Sequence, residues 1–179
     1  MKTNKDISQY IEIRPLTIDD FETVLRWSKD DLFCSANGWE TNRKPEELFS
    51  WWSNCVNNVA EDFIRMGITF CGKIIGYADL ACIKDNAAEL GIAIGESKLW
   101  GQGIGINSAI CMMVYASKEY GITNFYAETH EANVRSRKML EKIGFKEISR
   151  IGSEEYLGMI SQLIQFSSEL DGEQSLSIL

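Results

Sequence analysis

The stretch Gly101-Gln102-Gly103-Ile104-Gly105 runs directly into a helical pattern, in which Ile106, Ala109, Ile110, Met113 and Val114 recur at i, i+3, i+4, i+7 and i+8 before Gly121 closes it. Three glycines leading into a helix constrain this chain more than any other feature. Glycines leave the backbone N–H groups uncovered, the loop ends at a helix N-terminus, and the partial positive charge there favours phosphate. Pyrophosphate is therefore the natural guest, although a Gly-x-Gly-x-Gly run taken alone describes a flexible turn equally well.

The residues before the loop read as a strand. Over Glu89 to Gly95, bulky Leu90, Ile92 and Ile94 alternate with Glu89, Gly91 and Ala93, so one face is apolar and the other is small beside a single carboxylate. Such a small face admits a ligand or another backbone closely; a strand packed under a helix gives the same pattern. A P-loop is excluded, because no lysine followed by serine or threonine stands at the required places. A dinucleotide fold has Glu128 at the right distance for a ribose acid, but Ser97 to Trp100 separate strand from loop and Ile106 occupies the third glycine's place.

A second motif follows, Asn133-Val134-Arg135-Ser136 through Glu141-Lys142-Ile143-Gly144-Phe145. With the glycine loop it resembles the GNAT N-acetyltransferase superfamily, strongly over residues 88 to 146 and more loosely over 10 to 166. Trp100 stands where the superfamily's loop motif begins with arginine or glutamine, which is similar to the branch of ribosomal-protein N-terminal acetyltransferases. Leu140 stands where many members carry a tyrosine as general acid.

The resemblance implies an α/β (α+β) chain with a mixed, largely antiparallel central sheet flanked by helices. It implies one acetyltransferase domain over residues 10–167, between a flexible N-terminus at 1–9 and a flexible tail at 168–179. Acetyl-CoA would be the cosubstrate, with backbone amides of Gly101, Gln102, Gly103, Ile104, Gly105 and Ile106 around the pyrophosphate. The strand through Leu90, Ile92 and Ile94 would lie along the pantetheine arm, with Asn133 and Ser136 beside the arm or the thioester. An amine must lose a proton to attack a thioester, and Glu89 is the first candidate base, Glu128 the second, with Asn133 assisting. A noncatalytic coenzyme A sensor or an interaction scaffold is the alternative.

Composition narrows the partners. The 179 residues carry a net charge of −8, which opposes a nucleic-acid partner and favours a cationic acceptor. A primary amine is the expected acceptor: a polyamine, an aminoglycoside, a small amino compound or a protein N-terminus. In the superfamily the stretch between the first two strands helps form the acceptor pocket, and here it offers Asp30, Asp31 and Trp39; ordinary core and solvated surface are the bland readings of these. No metal is expected, since the five cysteines form no Cys-x-x-Cys pair and His130 is the single histidine, read as structural. No apolar run approaches a membrane span and no signal segment opens the chain, so a cytoplasmic protein, monomer or homodimer, is expected.

Elsewhere the patterns predict a strand at Tyr10 to Arg14, a helix capped by Thr17 and Asp20, and a loop or short helix over Lys29 to Lys44. A helix beginning at Pro45 has Leu48, Trp51, Trp52, Cys55, Val56 and Val59 as its apolar face. Phe63 to Phe70 and Ile74 to Ile83 read as a hairpin through Cys71-Gly72-Lys73, and Ile122 to Thr129 and Phe145 to Arg150 as strands. Residues 156 to 166 fit either a helix or a strand by period; the resemblance favours a strand after a turn near Gly152.

Overall fold

A computed structural model describes residues 7–57 and 60–170. The chain runs β1 (Ile11–Pro15), α1 (Phe21–Trp27), α2 (Asp31–Asn37), α3 (Pro45–Asn57), β2 (Ile64–Phe70), β3 (Lys73–Lys84), β4 (Ala87–Ile94), α4 (Ile104–Tyr120), β5 (Asn124–His130), α5 (Val134–Lys142), β6 (Lys146–Ser149), β7 (Ser153–Tyr156) and β8 (Met159–Glu169). One sheet has the order β1-β2-β3-β4-β5-β8-β6, with β7 paired to β8. Every pairing is antiparallel except β4 with β5, whose parallel register requires the crossover through α4.

The alternation read from the sequence sorts the two faces. Leu90 and Ile94 of β4 join Phe125, Ala127, Ile164 and Phe166 under Met112, Met113 and Ala116 of α4 and Leu140 of α5. On the other face Tyr77 and Ala93 are covered by Val24, Trp27, Phe33, Leu48 and Trp52 from the three N-terminal helices. Gly95, just past β4, is small because of that cover: a Cβ there would lie 2.2 Å from the Trp27 ring.

Local signals explain the entries to the helices. Thr17 and Asp20 form the expected capping box, and Asp20 is also held bidentately by Arg14 at 2.9 and 2.6 Å. The segment expected as loop or short helix contains α2, capped by Asp30 and ended by left-handed Gly38.

Three boundaries differ from expectation. Ser8–Tyr10 form a 3-10 turn, so order begins inside the stretch expected to be flexible. At the other end β8 runs to Glu169, with Ser168 opposite Phe125 and Glu169 opposite Asn124, because pairing to β5 outweighs the polar composition that suggested a tail from 168. The ambiguous residues 156 to 166 divide between the end of β7 at Tyr156, a turn at Leu157-Gly158 and β8 from Met159, while Gly152, with a φ of 88°, lies in the connection from β6 to β7. Val59 and the tail from 171 lie outside the described residues.

Candidate active site

β4 and β5 pair only at Ala87 with Asn124, Ala88 with Phe125 and Glu89 with Tyr126, and beyond that point they part. On its other edge β4 stays paired to β3 through Ile94. The β5-facing backbone of Leu90 to Ile94 is thus released from the sheet, an edge that can hydrogen-bond an extended ligand except at Ile94 O, which accepts from Trp100 Nε1. This splay was not legible in the sequence, where β4 reads as an ordinary strand.

The glycine loop closes one end of the opening. Gly103 is the N-cap of α4 with φ of 84°, a conformation that suits glycine, and no side chain caps the helix. A cleft of about 380 Å³ runs over this terminus, lined by Ile92, Ile94, Gly101, Gly103, Gly105 and Ile106 from the loop side. A second cleft, of about 240 Å³, lies in the splay against Leu90, Gly91, Ile92, Ala127 and Glu128. Ala36, Asn37, Ile92, Asn133, Ser136 and Met139 line both, so the two are one passage from the helix terminus to the strands.

The site residues expected from the sequence fall into place unequally. Leu90, Ile92, Ile94, Gly101, Gly103, Gly105, Ile106, Asn133 and Ser136 all line the passage. Ile104 is buried beneath it, so only its backbone can serve a ligand, and the Gln102 amide donates to Lys98 O at 2.9 Å. Asn133 caps α5, its Oδ1 accepting from Ser136 N at 3.2 Å. The acceptor residues expected between β1 and β2 do not reach either cleft; Ala36 and Asn37 of α2 do.

Those three residues have other partners. Asp30 accepts from the N–H groups of Leu32, Phe33 and Ser97, tying α2 to the segment before the glycine loop. Asp31 is exposed in the first turn of α2. Trp39 packs on Phe33 and Trp51 and donates to the Tyr77 hydroxyl at 3.2 Å. The aromatic faces suited to a cation are taken by the chain's own Arg65, 4.4 Å from the Tyr77 centroid and 5.5 Å from Trp51, with Asp79 bidentate at 2.7 Å.

Sequence reasoning missed the cations of the first cleft. Arg135, Lys138 and Lys142 line it from α5 at i, i+3 and i+7, one face of the helix, in a chain of net charge −8. Arg135 lies 4.0 Å over the Trp100 ring, and Trp100 in turn donates to Ile94 O at 2.8 Å. The spacing of the three was visible; that this face meets the glycine loop depends on packing.

Glu89 and Glu128 share the sheet face opposite α4, Glu89 across from Tyr126 and Glu128 two residues further along β5. Partial burial, with the Glu128 charge second, pushes the Glu89 carboxyl above its usual value although the side chain keeps contact with water. Glu128 is anchored by the Gln165 amide at 2.7 Å.

Comparison with known proteins decides the family. The GNAT acetyltransferase domain model matches residues 11–146. The chain belongs to the GNAT acetyltransferase family. It is 29% identical over 150 residues to an uncharacterized protein of Methanocaldococcus jannaschii, and 30% identical over 93 residues to the ribosomal protein bS18-alanine N-acetyltransferase of Haemophilus influenzae. Those alignments cover 82% and 51% of this chain but only 30% and 61% of the relatives' lengths. Among solved structures, spermidine N-acetyltransferase from Vibrio cholerae, in complex with CoA and spermine, matches with a TM-score of 0.76 at 17% identity, covering 94% of this chain and 99% of that one. The GNAT fold assigned from motifs is thereby the fold observed.

Proposed function

We propose that this GNAT chain transfers the acetyl group of acetyl-CoA to a primary amine by direct attack. The observation that carries the reading is the uncapped N-terminus of α4 opening into the parted strands, a phosphate cradle continuous with a free strand edge. Backbone amides from Gly101 to Ile106 hold the pyrophosphate, Arg135, Lys138 and Lys142 add charge, and the edge Leu90 to Ile94 bonds the pantetheine arm. Acetyl-CoA supplies the activated thioester.

In the transfer the amine nitrogen bonds the thioester carbon, the C–S bond breaks, and its electron pair leaves on sulfur. Glu89, whose raised proton affinity suits the task, takes the amine proton directly or through water, with Glu128 the second candidate. A backbone N–H near Ile92 supports the carbonyl oxygen, and Asn133 steadies the segment opposite. No cysteine lines either part of the passage, in keeping with attack without an acetyl-enzyme stage.

The acceptor class is a primary amine: a polyamine, an aminoglycoside, a small amino compound or a protein N-terminus. The last is supported by the bS18-alanine acetyltransferase relative and the first by the spermidine acetyltransferase likeness. Five free cysteines accord with a cytoplasmic setting, the chain acting as monomer or homodimer without nucleic acid or metal. Among the described residues no helix is long and apolar enough to cross a membrane.

The test is thiol release from acetyl-CoA across an amine panel, beside calorimetry with coenzyme A. Release with at least one amine supports transfer. Leu140, buried at 3% exposure where a hydroxyl acid often stands in the family, favours a second reading, a coenzyme A sensor, which binding without release would establish. Absence of both leaves an interaction scaffold.

A further inference from the structure

The passage has three titratable side chains in its strand-side half, Glu128, His130 and Glu154, and the imidazole is the one with a buried nitrogen that no hydrogen bond reaches among the described residues. Its ring stacks on Tyr156 with centroids 4.9 Å apart and planes 26° from parallel, so orientation comes from the ring face. Tyr156 is itself buried, which makes that wall rigid. Nδ1 is buried with no hydrogen-bond partner among the described residues. An unpaired buried nitrogen is disfavoured by about 1–3 kcal/mol unless something offsets it. With Nδ1 sealed against the protein, Nε2 is the nitrogen left to face the cleft.

The backbone holds this position as firmly as the ring. His130 O accepts from Asn133 N at 2.9 Å, joining the end of β5 to the cap of α5, and His130 pairs Leu163 of β8. The residue therefore stands at the parted end of β5, on the same sheet face as Glu128 and across the opening from Gly91. Glu128 and Glu154 accept hydrogen bonds on this wall, and Nε2 joins them in the tautomer with the proton on Nδ1, the one that an amine N–H bound at Nε2 would select. A group carrying several N–H donors, as a primary amine does, is complementary to it.

We propose that His130 is an acceptor-binding residue, its Nε2 accepting a hydrogen bond from an N–H of the incoming amine while Glu128 offers the neighbouring charge. The inference rests on the acetyl-transfer reading and deepens it: the acceptor enters the strand-side half of the passage past Glu154 and meets the thioester beside His130. His130 takes no part in coenzyme A binding, since the phosphate half of the passage does not include it.

His130 is the only histidine of the chain, so a long-range ¹H–¹⁵N spectrum of histidine-labelled protein contains one imidazole and needs no assignment. The probes are coenzyme A and the amines acetylated in the thiol-release panel. Expected is an Nε2 resonance of lone-pair type that moves upfield, saturably, when an acetylated amine is added to the coenzyme A complex. His130→Phe preserves the stacked ring and removes both nitrogens; kcat/KM for the amine should fall about tenfold or more, the size of one hydrogen bond, with acetyl-CoA affinity within about twofold of wild type. His130→Gln returns a polar atom near the reach of Nε2 and should recover part of the loss. Wild-type kinetics in His130→Phe, an imidazole indifferent to an amine that the enzyme acetylates, or a glutamine variant no better than phenylalanine overturns the assignment and leaves acetyl transfer standing. Wild-type protein that acetylates no amine overturns the transfer reading and this assignment together.

Discussion

Asp30 and Ser97, far apart in sequence, meet where a carboxylate oxygen of Asp30 accepts the Ser97 N–H at 3.2 Å. The other oxygen caps α2 through Leu32 and Phe33, both at 3.1 Å. One side chain therefore fastens α2, which supplies Ala36 and Asn37 to the passage, to the segment that leads into the glycine loop.

That double use separates two variants. Asp30→Ala loses the cap and the tie and should lower stability by about 1–2 kcal/mol. Asp30→Asn is as good a cap, so it should recover most of the stability, while the loop tie is lost because the amide nitrogen that replaces Oδ2 cannot accept the Ser97 N–H. Denaturant titration reads the first effect, and calorimetry with coenzyme A reads the second as a loss of affinity of about threefold in both variants. Equal affinities in wild type and both variants would show that Asp30 serves the helix alone.

The cradle makes a harder prediction. Gly103 sits at φ of 84°, so Gly103→Val places a β-branched residue in left-handed backbone, and Gly105→Asp puts a carboxylate at the helix N-terminus where its Cβ already meets Met139 Sδ at 3.2 Å. Strain in the first and charge repulsion against phosphate in the second should each abolish measurable coenzyme A binding. Circular dichroism establishes that the variants fold; wild-type affinity in either folded protein would put the pyrophosphate elsewhere.

Lys138→Ala and Lys142→Ala should each weaken coenzyme A binding by roughly threefold at low salt, as exposed charges near a polyphosphate do, with the difference from wild type shrinking as salt is raised. Arg135→Ala should cost more, because it also removes the guanidinium packed on Trp100. Isotherms at two ionic strengths distinguish charge from packing: a salt-independent loss at Lys138 or Lys142 is incompatible with a phosphate contact.

Legibility followed locality. Helix caps, the hairpin at Cys71-Gly72 and the two faces of β4 come from periods and turn chemistry within a few residues, and all were readable. The glycine loop and Asn133-x-x-Ser136 were recognised as two motifs, and their meeting across the passage is what the sheet order supplies. The parting of β4 from β5 was not readable, because register between strands joined by a long crossover is set by packing against α4. The same limit explains Asp30, Asp31 and Trp39. Acidic and aromatic residues in a variable stretch suit an amine, but Arg65 of β2 covers the neighbouring Trp51 and Tyr77 rings, and Trp39 packs against those same two rings. His130 looked structural because a lone histidine holds no metal; its unpaired nitrogen exists only once β5, β7 and α5 are assembled.

Glu89, the proposed base, gives the most discriminating experiment. If it accepts the amine proton, Glu89→Gln should lower kcat by about 10² to 10⁴ with coenzyme A affinity nearly intact, part of the loss returning at higher pH as neutral amine accumulates, while Glu128→Gln does much less. The raised carboxyl makes a second, independent prediction. Because the folded protein holds this proton more tightly than the unfolded chain, the native state binds more protons in the window between the ordinary carboxylate value and the raised one. Stability contributed by Glu89 is therefore present below the unfolded value and falls as pH rises through that window. Asp20 runs the other way: burial alone would raise its carboxyl, yet hydrogen bonds from Arg14 and Thr17 together hold it below the ordinary value, so its contribution is lost as pH falls. Glu89→Gln removes only the first effect. Thermal melts from acid to neutral pH should show the variant gaining on wild type as pH rises, and the two converging in acid where Glu89 is protonated. Glu128→Gln should raise wild-type-like stability at neutral pH as well, since it relieves the same repulsion, without the loss of turnover. A Glu89→Gln enzyme with full activity and a flat stability difference across pH would remove both arguments for Glu89 as the base and return the role to Glu128 or to solvent.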